Sequence, residues 1–464
     1  ERSAKSLSAS EIQRIRVANQ LSASLSDVLY IFDEPSIGLH REENKHLISH
    51  FKKLVQRGNT VIVVEHDLDT IAEADHIIDI GPRAGQYGGE VLFNGLMTDF
   101  LKADKLKEMS PTYRALTAPV LSNPTNKKNE QGQAILLNGC HLNNLKNIDV
   151  AFQLGQLNVV SGASGVGKSS LVKGTLLRAV EAHLANEKLE LLPFKQAENL
   201  DAVKKLVFID HTAIGKTPRS NPATYLGISD FIRDAFAALP ESKTKKYTKS
   251  RFSFNNKGGR CEVCQGAGKT QIGMHFLGNV DLLCGTCNGK RFNDDTLDIK
   301  FEGKSIAEVY RLSVNAAISF FSGQKKILNG LLILQEIGLG YLTLGQSSTT
   351  LSGGEAQRIK LASFLVKGNT KDKALFIFDE PTTGLHFHDI KKLLASFNAL
   401  IERGHSIVVI EHNIELIKCA DYIIDLGLEG GKNGGKLIFE GTPEELARNK
   451  ESYTAKYLEE KLVF

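Results

Sequence analysis

Short apolar runs separated by polar, glycine-containing segments recur along the chain and predict the strands of a sheet. The runs over residues 28–32 and 157–161, and over Thr60–Val64, are rich in the residue types that favour strands. The segments over 11–21 and 170–180 are predicted helices. Strands alternating with helices predict an α/β fold, in which a mostly parallel sheet is flanked by helices and functional residues lie at the carboxyl ends of strands.

A glycine-rich segment links the apolar run over 157–161 to the predicted helix over 170–180. It has the pattern G-x-x-x-x-G-K-S, in which backbone N–H groups surround phosphates and Lys168 reaches the β and γ oxygens. The Ser169 hydroxyl would ligate Mg²⁺. The alternative is an ordinary glycine-rich turn before a helix. The pattern predicts ATP binding by Gly162, Ser164, Gly165, Gly167, Lys168, Ser169 and Ser170.

An internal repeat indicates which kind of nucleotide-binding fold this is. The segment 29–40 recurs at 375–386, and the segment 61–67 recurs at 407–413. A third segment, 79–95, recurs with the same offset of 346 residues, the offset from Asp33 to Asp379. Copies that stay in register over this length indicate a duplicated domain rather than a short-period solenoid.

Each copy has an apolar run ending in Asp-Glu and, about thirty residues later, another run ending in Glu-His. The Asp can hold Mg²⁺ through water, the Glu can polarise the attacking water, and the His can contact the γ-phosphate. A lone Asp-Glu could instead be a helix cap. The predicted catalytic residues are Glu34, His66, Glu380 and His412. Asp33 and Asp379 are predicted to hold Mg²⁺ through water.

A segment before the second copy has the form of an ATP-binding-cassette signature. Such a signature offers small residues and a helix N-terminus to a γ-phosphate bound on another cassette. Its predicted nucleotide-contacting residues are Ser352, Gly353, Gly354 and Glu355. Together the motifs predict tandem ABC-type ATPase cassettes, a P-loop NTPase fold, with a helical, zinc-binding insertion.

The insertion contains two C-x-x-C pairs separated by nineteen residues. Four thiolates at this spacing fit one tetrahedral Zn²⁺, and with all four positions filled no coordination position is open for catalysis. The alternative is a redox dithiol. Residues 270–277, between the pairs, alternate enough to form a hairpin arm. The predicted ligands are Cys261, Cys264, Cys284 and Cys287.

Charge is concentrated around these cysteines. Residues 241–291 contain ten Lys or Arg and three Asp or Glu, and Tyr247, Phe252, Phe254 and Phe276 are interleaved with them. A basic segment with aromatic residues suits phosphate contacts and stacking or wedging between bases. A solvated charged face is the alternative. The predicted DNA-contacting residues are Lys243, Lys245, Lys246, Lys249, Arg251, Arg260, Lys290 and Arg291.

Composition bears mainly on the expected location of the protein in the cell. The net charge of the 464-residue chain is +4, no apolar run approaches eighteen residues and no secretory signal opens the sequence, so we expect a cytoplasmic protein without a membrane span. Cys140 and Cys419 lie in apolar contexts and are expected to be ordinary buried thiols.

Several segments closely resemble the UvrA family, the damage-recognising ATPases of bacterial nucleotide excision repair. They are 143–148, 217–225, 258–264 and 345–347, together with the Leu-His ending of both cassette motifs. The resemblance covers essentially the whole chain. It implies two cassettes in one polypeptide, a homodimer, sensing of damaged or distorted double-stranded DNA, and loading of a UvrB-like helicase, whose docking insert would lie upstream of this chain.

Two departures from the family pattern fall on one composite nucleotide site. Leu-Ser-Ala-Ser-Glu at 7–11 stands where the family has Leu-Ser-Gly-Gly-Glu, so the backbone would approach a γ-phosphate less closely. His211, which is also predicted to bind the nucleotide, stands where the family has a Gln that contacts magnesium and water. We therefore expect weak ATP hydrolysis, and the departures make a paralogue protecting against DNA-binding drugs an alternative to the repair role.

The predicted domain organisation follows from the motifs. Residues 1–116 are expected to be the C-terminal half of a first cassette, with a closing strand near 89–93 and its phosphate loop upstream of Glu1. Residues 117–132 are a linker rich in Pro, Asn and Lys. Residues 133–464 are the second cassette. The helical insertion is 226–345, with the zinc module at 250–295. A ribosome-acting tandem cassette protein is a further alternative, but it would not need two zinc knuckles.

Overall fold

The computed structural model describes residues 15, 18–19, 25–36, 38–82, 85, 88–117, 133–215, 217–274, 278–367, 372–385 and 387–462. The altered signature at 7–11, the linker after residue 117, most of the predicted helix over 11–21, and Phe276 lie outside these residues. None of the helices in the described ranges is long and apolar enough to cross a membrane.

The chain divides into two compact units. The first comprises Glu1–Asp210 and Thr370–Phe464, and the second comprises His211–Asn369. The first unit therefore contains both repeat copies, and the second contains the predicted insertion with flanking residues on each side.

The first repeat copy forms two small sheets and their helices. β1 and β2 pair in parallel, and β3 and β4 pair antiparallel. One face of β1 packs on helix α1 through Phe32, Phe51 and Leu54. The bounds are β1 Leu29–Asp33, α1 Arg41–Gln56, β2 Thr60–Val64, α2 Leu68–Ala72, β3 His76–Gly81, β4 Glu90–Leu96, α3 Met97–Phe100 and α4 Pro111–Thr117.

The segment before the insertion supplies the phosphate loop and a small antiparallel sheet. β5, β6 and β8 form that sheet in the order β6-β5-β8. α5 continues through a π-helical turn, Val172–Leu176, into α6. The bounds are β5 Ala134–Cys140, β6 Ile148–Gln153, β7 Leu157–Ser161, α5 Lys168–Leu171, α6 Leu177–Leu184, β8 Gln196–Glu198 and β9 Lys205–Ile209.

The second repeat copy completes a six-stranded sheet around β7. The order is β17-β16-β7-β15-β14-β9, and only the edge strand β17 runs antiparallel to its neighbour. The inner strands β7 and β15 are buried on both faces, as is usual for parallel strands. The bounds are β14 Ala374–Asp379, α15 Phe387–Glu402, β15 Ser406–Ile410, α16 Ile414–Ile417, β16 Tyr422–Gly427, β17 Lys436–Gly441, α17 Pro443–Leu446 and α18 Tyr453–Glu459.

The second unit is mainly helical and has a separate apolar core. Buried Phe236, Phe252, Phe321, Leu331 and Ile359 belong to this core. Its antiparallel hairpin, β10–β11, lies between the two cysteine pairs. The bounds are α7 Pro222–Tyr225, α8 Ile228–Ala237, α9 Pro240–Thr244, β10 Lys269–Met274, β11 Gly278–Leu283, α10 Asp294–Leu297, β12 Lys300–Phe301, β13 Lys304–Ser305, α11 Ile306–Arg311, α12 Val314–Phe320, α13 Lys325–Glu336 and α14 Gly353–Lys367.

Short 3-10 helices connect several of these elements. They span Asp104–Leu106, Leu189–Leu191, Leu200–Ala202, Lys249–Phe252, Ser348–Thr350 and Gly431–Asn433.

Candidate functional site

The glycine-rich segment forms a tight loop between β7 and α5. Gly162 has φ 126° and Gly167 has φ 117°, both in the region that side chains rarely adopt. A Cβ atom on Gly162 would lie 2.1 Å from the backbone oxygen of Leu426, so no larger residue fits there. The loop backbone therefore requires glycine at these two positions of the motif.

Lys168 is buried at the centre of this loop. Its ammonium donates hydrogen bonds to the backbone oxygens of Gly162 at 2.7 Å and Ala163 at 2.9 Å. Burial lowers the pKa of Lys168, and nearby carboxylates, of which Glu380 acts most strongly, oppose this shift. Phosphate oxygens could replace the two carbonyl acceptors, because they offer the same ammonium a stronger, charged partner.

Neighbouring side chains hold the loop from outside. Asn144 donates from its amide to the backbone oxygens of Gly165 and Gly431, each at 3.1 Å, and Asn143 donates to the Ser170 hydroxyl at 3.0 Å. The segment 143–148 contributed to the family resemblance, but its sequence alone did not assign this bracing role. Ser169, at the start of α5, is exposed.

The end of β14 lies beside the helix that follows the loop. The Asp379 carboxylate accepts a hydrogen bond from Lys173, which lies in the π-helical turn. Glu380, the next residue, has φ 47°, an unusual backbone conformation for a residue with a side chain. Sequence reasoning missed Lys173, because it lies outside every motif and reaches Asp379 only through the fold.

The two residues of the Glu-His pair after β15 differ in their contacts. The Glu411 carboxylate is fully buried and accepts hydrogen bonds from the backbone N–H groups of Thr382, His412 and Asn413, at 3.0, 2.7 and 2.9 Å. Glu411 therefore anchors the loops after β14 and β15 to each other. His412 is left with its Nδ1 atom buried and without a hydrogen-bond partner among the described residues.

The first copy repeats this arrangement with one difference. Glu65 accepts from the backbone N–H groups of Ser36, His66 and Asp67, as Glu411 does. In addition, His66 Nε2 lies 3.1 Å from Glu34 Oε1. The hydrogen bond between them is the largest influence on both groups, and it lowers the pKa of Glu34 and raises the pKa of His66. Asp33 is the last residue of β1 and directly precedes Glu34.

The two copies meet, within the first unit, at the loops that carry the predicted catalytic residues. A Cβ atom built on Gly384 of the second copy would lie 3.7 Å from a carboxylate oxygen of Glu34 in the first. One cavity is lined by residues of both copies, including Glu34 and His66 from the first and Gly384 and His412 from the second. Three of the four predicted catalytic residues, Glu34, His66 and His412, therefore line one cavity.

The intact signature lies in the second unit, at the start of α14. Ser352 and Glu355 cap the helix reciprocally: the Ser352 N–H donates to the Glu355 carboxylate at 2.8 Å, and the Glu355 N–H donates to the Ser352 hydroxyl at 3.2 Å. Tyr341 also donates to Glu355. Glu355 is therefore held at the helix N-terminus by hydrogen bonds within its own unit.

His211 lies beside this signature. A Cβ atom on Gly353 would lie 3.3 Å from both Cβ and Nδ1 of His211. Both ring nitrogens of His211 are buried and have no hydrogen-bond partner among the described residues. His211 thus packs on a signature glycine of its own unit.

The four paired cysteines form one buried cluster. Their sulfur atoms all lie within 4.8 Å of one another, and Sγ–Sγ separations are 4.0 Å for Cys261–Cys284 and 3.7 Å for Cys264–Cys287. These values are close to the edge of about 3.8 Å expected for a tetrahedron with zinc–sulfur bonds of about 2.3 Å. The Gly268 N–H donates to Cys264 Sγ at 3.2 Å. The cluster is thus compatible with Zn²⁺.

The remaining two cysteines, Cys140 and Cys419, are buried and form no disulfide. Burial raises the pKa of Cys140 to about 12 and that of Cys419 to about 11. Thiols with such high pKa values stay protonated at neutral pH and are poor nucleophiles or metal ligands.

The structure separates the eight predicted DNA-contacting residues into two groups. Lys249, Arg251 and Arg260 form ion pairs with nearby carboxylates of the same unit, and Arg291 lies over the Phe254 ring at 5.3 Å. The other four are exposed and make no ion pair within the described ranges: Lys243, Lys245, Lys246 and Lys290.

The interpretation of the interleaved aromatic residues as stacking groups is wrong for two of them. Phe252 is 0% exposed and Phe254 is 2% exposed, because both belong to the core of the second unit. Tyr247 is half-buried and lies 4.4 Å from the Arg251 guanidinium. Bases could therefore reach neither of the two phenylalanines without unfolding this core.

Comparison with known proteins agrees with these arrangements. No protein-family model matches the chain. The UvrABC system protein A of Malacoplasma penetrans is 48% identical over 468 residues, which cover 99% of this chain and 48% of that protein. The corresponding protein of Staphylococcus epidermidis is 48% identical over 464 residues, with the same coverage. The crystal structure of UvrA2 from Deinococcus radiodurans matches with a TM-score of 0.90 and 42% identity, covering 100% of this chain and 55% of that one.

This chain belongs to the UvrA family. It spans about half the length of the curated UvrA relatives that it matches. The resemblance inferred from short motifs is therefore confirmed along nearly the whole chain, and so is the α/β cassette fold.

Proposed function

We propose that this chain is an ATP-binding and ATP-hydrolysing, DNA-binding protein of the UvrA type that senses damaged or distorted duplex DNA in nucleotide excision repair. The observation that carries this proposal is the group formed by Lys168, Ser169, Asp379, Glu380 and His412, called the Lys168 centre below. The relatives named UvrABC system protein A favour the repair role. The drug-protecting paralogue and the ribosome-acting protein are not favoured.

The Lys168 centre has the groups that phosphoryl transfer needs. The residues around the loop fit a nucleotide, because the Lys168 ammonium is held among backbone carbonyls that phosphate oxygens can replace. A bound Mg²⁺ would neutralise phosphate charge, with Ser169 and Asp379 as its nearest predicted partners. Glu380 would orient the attacking water, and His412 would contact the γ-phosphate. The signature at Ser352–Glu355 would act on a nucleotide bound by another cassette.

Replacing the central lysine tests this proposal. We expect Lys168→Ala to reduce the affinity for ATP and Mg²⁺ at least about 100-fold, because a buried, charge-assisted contact to two phosphates is lost. Calorimetric titration measures the effect, and Lys188→Ala, an exposed lysine beyond the end of α6, is the control. Wild-type affinity in Lys168→Ala would reject the nucleotide assignment.

The cysteine cluster supports a structural Zn²⁺ in the second unit. Thiolate coordination contributes folding energy, so Cys264→Ser should lose the metal and lower the melting temperature of this unit. ATP binding by the Lys168 centre should persist. Metal content by mass spectrometry and thiol titration provide the readouts, with Cys140→Ala as the control. The assignment would be contradicted if all four thiols could be titrated freely while the protein kept its full zinc content.

The exposed lysines support a DNA-contacting surface on the second unit. Lys243, Lys245 and Lys246 are free to reach phosphates, whereas Arg260 is held by Glu262 at 3.1 Å. Changing these three lysines to Gln should weaken binding to all duplex sequences and reduce the salt slope by about 0.9 for each lost phosphate contact.

The matched control changes Lys102, Lys105 and Lys107, three exposed lysines of the first unit, to Gln. Equal losses in both triple variants would indicate a general charge effect and would move the DNA surface elsewhere. A homodimer and a UvrB-like partner belong to the same proposal. They rest on the family relationship.

A further inference from the structure

Asp425, in β16, is a buried carboxylate to which the sequence motifs assign no role. Its residue exposure is 2%. Both carboxylate oxygens accept hydroxyl hydrogens: Oδ1 from Ser161 at 2.5 Å and from Thr454 at 2.9 Å, and Oδ2 from Ser452 at 2.6 Å. Burial raises the pKa of Asp425, and the three hydroxyl groups oppose this shift because they donate to the ionised form. One carboxylate therefore joins the end of β7, β16 and the start of α18.

The strand end that Asp425 holds is the start of the phosphate loop. Asp425 lies opposite Ser161 in the parallel pairing of β16 with β7, and Ser161 directly precedes Gly162. A Cβ atom on Gly162 would lie 2.1 Å from the backbone oxygen of Leu426, so this glycine lies directly against the residue that follows Asp425. The Gly162 carbonyl accepts a hydrogen bond from Lys168. Displacement of this strand end would therefore move an acceptor that holds the Lys168 ammonium.

The other two hydroxyl donors lie at the N-terminus of α18. Ser452 precedes this helix and accepts the backbone N–H of Ala455 at 3.0 Å, while its hydroxyl donates to Asp425. Farther along α18, the Tyr457 hydroxyl donates to Glu42 of α1, in the first repeat copy. Because α18 is held at both places, it gives the Asp425 carboxylate a fixed support.

The equivalent carboxylate of the first copy is not fully paired. Asp79 precedes Asp425 by the repeat offset of 346 residues and is 5% exposed. Its Oδ2 atom is buried and has no hydrogen-bond partner within the described ranges, although buried carboxylate oxygens are normally hydrogen-bonded. In the described part of the first copy, β2 and β3 belong to separate sheets, whereas β7 lies between their equivalents β15 and β16. The complete set of donors therefore accompanies the strand that carries a phosphate loop.

We propose that Asp425 is a positioning residue for ATP: by tying the end of β7 to α18, it holds the phosphate loop where Lys168 can exchange its carbonyl acceptors for phosphate oxygens. This inference rests on the proposed binding of ATP by the Lys168 centre. Glu380 and His412 follow other strands, β14 and β15, and are held by separate backbone hydrogen bonds. The loss of the Asp425 carboxylate should therefore weaken nucleotide binding and leave the hydrolysis of bound ATP nearly unchanged.

Two substitutions remove this link, and a third is a matched control. Asp425→Asn places an amide donor among three hydroxyl donors, and Ser161→Ala removes the hydroxyl from the strand that carries the loop. In the control, Asp421→Asn, the altered carboxylate accepts the Leu157 N–H at 2.8 Å at the opposite end of β7. We expect ATP binding to weaken about ten-fold in Asp425→Asn and about three-fold in Ser161→Ala, because small displacements of binding groups have large effects. The control should change it less than about two-fold.

Three measurements on the full chain separate positioning from general destabilisation. Calorimetric titration with a non-hydrolysable ATP analogue and Mg²⁺ gives the affinity, single-turnover hydrolysis at saturating ATP gives the rate, and urea unfolding gives the stability. Asp425→Asn should keep the rate within about three-fold of wild type. Asp421→Asn should lose stability without losing affinity.

Three results would overturn the role of Asp425. They are unchanged affinity in both Asp425→Asn and Ser161→Ala, equal affinity losses in Asp425→Asn and Asp421→Asn, and a loss of rate at saturating ATP as large as the loss of affinity. If Asp425→Asn does not fold, Ser161→Ala decides alone. Lys168→Ala is titrated alongside: normal binding there rejects the proposed function, whereas lost binding there with normal binding in the Asp425 and Ser161 variants rejects only this inference.

Discussion

The two repeat copies have the same local structure at the loops with the predicted catalytic residues but differ in how their strands are covered. Glu34 and Glu380 have φ values of 45° and 47°, and their N–H groups donate to the backbone oxygens of Val64 and Ile410, at the ends of the neighbouring strands, at 2.8 and 2.9 Å. Yet β1 exposes alternate residues, whereas β14 is buried on both faces up to its last residue. Local sequence therefore fixes the loop, and packing decides the burial.

The difference in burial follows from the neighbours of each strand. In the second copy, β7 pairs with both β15 and β16, and the residues after β7 cover one face of the sheet. In the described part of the first copy, β1–β2 and β3–β4 are separate two-stranded sheets. The apolar side chains Ile31, Ile62 and Ile80 are consequently 64%, 45% and 63% exposed. Apolar side chains alone do not bury a strand; a covering layer must be present.

The largest expected contrast between the copies concerns hydrolysis. Glu380→Gln should lower single-turnover ATP hydrolysis about 1,000-fold, because a carboxylate that orients water is lost. Glu34→Gln should lower it less than about five-fold, since Glu380 is the stronger electrostatic neighbour of Lys168. Rapid-quench measurement at saturating ATP checks both. Equal effects would mean that the two copies act as one catalytic unit.

Substitutions at equivalent positions of the two copies should have different effects on stability. Ile377, 0% exposed in β14, and Ile31, 64% exposed in β1, are equivalent residues. Ile377→Ala should destabilise the first unit by about 3 kcal/mol through lost packing and a cavity. Ile31→Ala should change stability by less than about 0.5 kcal/mol. Urea unfolding followed by circular dichroism gives both values, and similar losses would show that the outer face of β1 is covered in solution.

The smallest expected contrast concerns the Glu34–His66 pair. The pKa of His66 should lie above its ordinary 6.5, and Glu34→Gln should bring it back down, whereas Glu380→Gln should not. The His66 contribution to stability is present below pH 6.5 and lost as pH rises through the raised pKa. The Glu34 contribution is present above pH 4.5 and lost as pH falls through the lowered pKa.

The pair should therefore be strongest between the lowered pKa of Glu34 and the raised pKa of His66. It should contribute less than about 1 kcal/mol, because the His66 side chain is 39% exposed. NMR titration of the histidine ring protons measures the pKa, with the Glu380→Gln protein as the reference. If Glu34→Gln leaves the pKa of His66 unchanged, this pair does not distinguish the first copy from the second.

Much of the local structure could be predicted from sequence. The strand expected over Thr60–Val64 has those bounds in the structure, the run over 28–32 is shifted by one residue to Leu29–Asp33, and the alternating segment between the cysteine pairs forms the expected hairpin. These predictions succeeded because strand periodicity, tight turns and paired cysteines depend on neighbouring residues. The motif glycines likewise require particular backbone angles that no other residue adopts at low cost.

Long-range contacts could not be predicted in the same way. Lys173 reaches Asp379 across 206 residues, and Tyr457 of α18 contacts Glu42 of α1 across 415. The basic segment is uniform in sequence, yet carboxylates that pack nearby engage Lys249 and Arg260 and leave Lys245 exposed. Nothing in the spacing of these residues records which partner the fold brings to them.

The sequence by itself determined the chemical inventory of this protein: a phosphate loop, two copies of an Asp-Glu and Glu-His pattern, and four thiols spaced for one metal. Each of these depends on residue type and short spacing, which the covalent chain carries directly. Only the tertiary structure decided that Glu411 is an anchor, that Phe252 is core, and that Glu34 of the first copy lies beside Gly384 of the second. Such roles arise from burial and from contacts between residues that are distant along the chain, and only folding creates them.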